Sequence, residues 1–125
     1  MALYKCNNVG GGNNKNYKFR IQCLFDSTLS SWAVIVARNF ITLDCKYKTM
    51  TFDTLTSNVV GQDYAIIDMY KKDGTRLPRI GYSAPVSSLQ TIDVTDVDKV
   101  DIYLYGKNTG SPWTMLATMD NISFQ

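Results

Sequence analysis

The chain reads as an all-β protein: a two-sheet antiparallel β-sandwich of jelly-roll type with about eight strands. Three observations predict it. Thr, Val, Ile, Tyr, Asn, Asp and Ser are plentiful, which favours strands and turns. All 11 acidic residues are Asp and none is Glu, and alanine is scarce, which removes two of the strongest helix formers. Apolar residues alternate with polar ones over several short runs, separated by turn signals every 8–15 residues.

The elements follow in order. "ALYKC" (2–6) suits a short strand or a docking arm, and the Gly/Asn-rich "NNVGGGNNKN" (7–16) reads as a flexible segment. In 17–25, Tyr17, Phe19, Ile21, Cys23 and Phe25 share one face, with Lys18, Arg20 and Gln22 opposite, as in a half-buried strand. "DSTLSS" is a turn. "WAVIVAR" (32–38) is a short, continuous apolar run, read as a buried strand with Trp32 in the core.

Residues 41–56 alternate again. Ile41, Leu43, Cys45 and Tyr47 lie opposite Asp44, Lys46 and Lys48, and the parity then shifts to Met50 and Phe52, which predicts a bulge or turn near Thr49. In 63–77, Asp73-Gly74 signals a two-residue hairpin turn with both residues at positive φ, and Pro78 confines the return strand to an edge or ends it. "GYSAPVSS" (81–88) is loop. In 91–106, Ile92, Val94, Val100, Ile102 and Leu104 face inward, Thr95-Asp96 turns, and Asp101, Tyr103 and Tyr105 face outward. After "GKNTGSP", residues 113–124 form a last strand, or two strands about Asp120-Asn121.

At 125 residues the chain has the length of a single domain (1–125). Its net charge of +2, without a Lys/Arg run interleaved with aromatics, argues against a nucleic-acid partner. No window approaches 18 apolar residues and the first residues lack a signal core, so the expectation is an intact, non-exported chain without membrane insertion. It would be extracellular only if an export signal had been removed. Cys6, Cys23 and Cys45 can form one pair at most, and Cys23 and Cys45 read as buried thiols.

No catalytic constellation emerges. The absence of His removes Ser-His and Cys-His dyads and most zinc sites. There is no G-x-S-x-G elbow or phosphate loop, so no enzyme and no cofactor are expected. The acids at Asp93, Asp96, Asp98 and Asp101 do not follow EF-hand spacing. They read as hydrated turn and surface residues, with a structural calcium left open and no metal ligands assigned. The candidate ligand-binding residues are instead Tyr103, Tyr105 and Trp113, with Asp101 and Tyr82 beside them. Exposed rings stack on sugars or on a partner protein, and a carboxylate takes hydroxyls.

"IDVTDVDKVDIYLYGK" and "MDNISF" resemble the final third of galactose-binding-like and carbohydrate-binding-module jelly rolls. That resemblance implies a sandwich whose end Val97 plugs, with Asp120-Asn121 bonding nearby backbone. "MALYKCNNVGGGN" is similar to the start of small bacteriophage structural proteins, which implies a virion location, cytoplasmic before assembly, and an arm that orders on a neighbour. The expected function is therefore a non-catalytic binding or assembly protein, a phage capsid or tail accessory acting on itself or on other virion proteins. The alternative is a carbohydrate-binding module with a glycan partner.

Overall fold

The computed structural model describes residues 18–59, 64–83 and 85–125. The expected strand at 2–6 and flexible segment at 7–16 lie outside the described residues. The described chain is all-β: β1 (Phe19–Leu24), β2 (Val34–Thr42), β3 (Thr49–Phe52), β4 (Thr54–Ser57), β5 (Ala65–Lys71), β6 (Ile80–Tyr82), β7 (Gln90–Asp93), β8 (Val97–Lys107) and β9 (Met115–Phe124). All pairings are antiparallel.

One sheet has the order β1-β9-β3-β7, with β4 also on β9; the other has the order β2-β8-β5-β6. β3 and β4 are nearly continuous, broken only at Asp53. Counted as one strand they give eight, and the two sheets then follow the jelly-roll order. The break has a local cause. Asn121 takes φ 57, and β9 bulges against β1 at the point where it passes from pairing β4 to pairing β3. Asn121 Nδ2 donates to Asp53 Oδ1 at 2.9 Å, and Arg20 holds Asp120 at 2.6 Å.

Alternation builds the core between the sheets. Ile21 and Cys23 of β1, Met50 and Phe52 of β3, and Met119 and Ile122 of β9 face Ile67, Val100, Ile102 and Leu104 of the other sheet. Each fully buried large side chain contributes about 1.5–3 kcal/mol. The sheets approach closely at Gly106, where an added Cβ would lie 2.6 Å from Leu116 Cβ. Val97 is fully buried at the β7–β8 crossing, with its N–H bonded to Val94 O at 3.0 Å.

Several expectations change. Residues 41–56 are not one strand with a slip. After Thr42 the chain turns through Asp44 and Cys45, both at positive φ, and crosses to the other sheet. The 71–75 hairpin exists, but of its two turn residues only Gly74 has positive φ. Gly74 N–H bonds Lys71 O, Lys71 N–H bonds Thr75 O, and Asp73 Oδ1 accepts from Thr75 N–H. This is a tighter turn followed by a left-handed glycine, the geometry of a three-residue loop. The "GYSAPVSS" loop begins inside β6. Cys23 is a buried free thiol, but Cys45 is disulfide-bonded to a partner outside the described residues, which corrects its reading as a thiol.

Candidate functional site on the outer face of the β2-β8-β5 sheet

β8 is central, and its length sets the site. Val100, Ile102 and Leu104 go to the core, so Lys99, Asp101, Tyr103, Tyr105 and Lys107 must face out. Register supplies their neighbours. On the β2 side Val36 lies opposite Tyr105, Arg38 opposite Tyr103 and Phe40 opposite Asp101. On the β5 side Ile66 lies opposite Tyr103, Asp68 opposite Asp101 and Tyr70 opposite Lys99. The Phe40 and Tyr70 rings meet across β8 at 6.5 Å between centroids.

Two carboxylates therefore stand side by side, and both are buried. Like charges placed this way repel, and the fold answers with two arginines. Arg79 grips Asp68 through both of its oxygens, Nε to Oδ1 at 2.9 Å and Nη2 to Oδ2 at 2.8 Å. Arg38 places Nε and Nη2 on Asp101 Oδ2 at 2.9 and 2.6 Å. The Arg79 hydrogen bonds hold the Asp68 carboxyl below the usual carboxylate range, against the opposing effect of burial. Asp101 Oδ1 is buried without a hydrogen-bond partner among the described residues.

The arginines also clasp Tyr103. Arg38 reaches the ring from the β2 side at 5.1 Å and Arg79 reaches it from the β5–β6 side at 5.8 Å. Burial, then the Asp101 charge, raises the Tyr103 pKa, so the phenol stays neutral at ordinary pH. Both carboxylates are engaged by guanidinium groups, so the arrangement is a fixed platform rather than an acid–base pair.

Of the five residues picked out by sequence, three come together here: Asp101, Tyr103 and Tyr105. Asp101 is not hydrated as expected; it is fully buried and ion-paired. Asp98 is also buried and lies 3.4 Å from Lys72, whereas Asp93 caps its own turn by accepting from Thr95 N–H at 2.9 Å. Tyr82 belongs to β6 rather than to a loop. It turns inward to meet Phe52 edge-on at 5.0 Å, and burial raises its pKa.

Trp113 lies apart from the β8 face, with Leu24, Phe25, Ser27 and Pro112 about an apolar pocket of about 330 Å³. Its side chain is 97 % exposed and its φ is 65, a left-handed conformation that costs a bulky residue energy.

Sequence reasoning missed Arg38, Asp68, Arg79 and Phe40, and it misplaced Trp32. Trp32 is 78 % exposed rather than core, with Lys107 Nζ 4.9 Å from its ring. β2 alternates, and it leaves Val34, Val36 and Phe40 about half exposed. One signal for Asp68 was available: a lone acid inside the apolar run "AIIDMY" needs a partner if the strand is central.

Among the described residues no group of three or more His, Cys, Asp or Glu side chains is placed to hold a metal ion. Comparison with protein-family models, curated proteins and solved structures finds no match to this chain.

Proposed function

We propose that this chain is a non-catalytic assembly protein, virion-associated, that works through self-association and surface contacts. One observation carries the reading. Of nine exposed large hydrophobic residues among the described residues, eight gather along one flank: Leu24, Leu29, Trp32, Val34, Val36, Phe40, Trp113 and Met115. They come from β1, the β1–β2 turn, β2, the β8–β9 connection and the start of β9. Exposed apolar patches this concentrated mark contact surfaces.

The architecture is one that viral capsid and lectin domains share. Architecture alone hosts many activities, so the surface has to separate the two. For the lectin-like alternative, Tyr103 would have to offer a ring face to a sugar, and Arg38 and Arg79 flank it instead. Trp113 keeps that alternative alive, since its ring is open.

The test is light scattering of the full chain together with a glycan panel read by tryptophan fluorescence. An oligomer that ignores glycans is expected. A monomer whose fluorescence shifts with a particular glycan would replace the assembly reading with a carbohydrate-binding module.

A further inference from the structure

Among the described residues four strands form the sheet edges: β1 and β7 in one sheet, β2 and β6 in the other. Exposed edges invite pairing with another chain, and proteins guard them with short strands, proline, bulges or charge. β6 has three residues and follows Pro78; β7 has four. β1 has six residues, a shift in its register and Arg20. β2 has none of these protections. It runs nine residues without proline or glycine, in unbroken register with β8, and its single charge, Arg38, is already paired with Asp101.

We infer that β2 pairs antiparallel with β2 of a second copy of this chain, joining the two β2-β8-β5-β6 sheets into one eight-stranded sheet. This rests on the assembly reading and names the surface that serves it. A strand pairing with its own copy about a two-fold axis is self-complementary by construction. Centring the axis on Ala37 sets Val34 opposite Phe40 of the partner subunit and Val36 opposite Arg38 of the partner subunit, so no like charges face each other. Ala37, the smallest side chain in the strand, then meets its own copy.

Surface is available beside the edge. Between β1 and β2 lies a groove of about 660 Å³ whose lining includes Cys23, Leu24, Leu29, Val34, Ile35 and Val36. Leu24, Leu29, Trp32, Val34, Val36 and Phe40 are 43–78 % exposed beside this edge, apolar surface of the kind that a stable interface of ~800 Å² per partner covers.

The experiment compares the full wild-type chain with Val36→Lys and Val36→Thr, by sedimentation over a concentration series and by amide exchange in β2. Circular dichroism melts confirm that each variant is folded. The expectation is a wild-type dimer in which the alternate β2 amides that β8 leaves unbonded gain protection as concentration rises. Val36→Lys, which sets a lysine against Arg38 of the partner subunit, should weaken dimerisation about tenfold or more, with Val36→Thr close to wild type. Oligomers that persist unchanged in Val36→Lys would overturn the edge proposal and leave the assembly reading intact. A wild-type monomer with freely exchanging β2 amides would overturn both. A monomer whose β2 amides are protected at every concentration would also overturn the proposal, since the chain's own residues would then cover the edge.

Discussion

The two sheets share one core, yet their outer faces have little in common. On the β1-β9-β3-β7 side the outward positions are Arg20 and Gln22, Thr49 and Thr51, Thr118 and Asp120, Thr91 and Asp93. Their charges are partly in water, and Arg20–Asp120 is an ion pair with solvent around it. On the β2-β8-β5 side the same alternation places Val34, Val36, Phe40, Tyr103, Tyr105 and Ile66, with two carboxylates sunk beneath arginines. A threonine-rich face does the ordinary work of keeping a strand soluble. A face that exposes aliphatic and aromatic groups while burying its acids gives up solubility without strengthening the core, which is the mark of a surface shaped for contact.

The comparison can be broken first where the sheets are one body. Phe52 sits on one sheet and touches Tyr82 of the other. Phe52→Ala should cost about 3–5 kcal/mol in denaturant unfolding and still give one transition. Two separate transitions would show that the sheets fold as independent units and that their faces should be judged separately.

Buried and exposed acids provide the next contrast. Asp68→Ala should cost about 1.5–3 kcal/mol, because charge-assisted bonds to Arg79 are lost, and Asp120→Ala about 0–1 kcal/mol. Equal losses would erase the distinction between the two faces. Acidity tests the same point. The carboxyls of Asp68 and Asp120 are held below their ordinary value of 3.8 by Arg79 and Arg20. A depressed folded value means that the stabilisation is complete above that ordinary value and is lost as pH falls through the lower folded one. Acid unfolding below about pH 4 should therefore be blunted in Asp68→Ala more than in Asp120→Ala.

The smallest effect is expected at Trp113. Its ring is in water and its backbone is left-handed, so Trp113→Gly should leave stability unchanged or raise it by up to about 1 kcal/mol. A clear loss of stability would mean that the ring supports the fold and is not held there for contact.

Alternation made much of this legible. The inward sets of β1 and β8 and the Pro78 limit on β6 follow from parity and turn chemistry, which act within a few residues, and the buried plug at Val97 is what the jelly-roll resemblance implied. What escaped depends on neighbours distant in sequence. Asp101 reads as wet until Arg38, 63 positions away, is laid across it. The "WAVIVAR" run reads as core because apolar content signals burial, and nothing local says that β2 lies at the edge of the described sheet. Likewise the parity shift after Tyr47 marks a change of sheet, which resembles a slipped register until both sheets are seen.

β9 lies at the heart of its sheet, bonded to β1 on one side and to β3 and β4 on the other. Among the described strands it is the last to be synthesised, so β1 waits about ninety residues of synthesis for β9. Chains stalled before Met115 should remain protease-sensitive throughout; resistance in such a chain would show that half of the sandwich can close early. If sensitivity holds, translation itself delays the appearance of a sticky β2 edge until β9 is made, and newly made copies meet with the sandwich already closed.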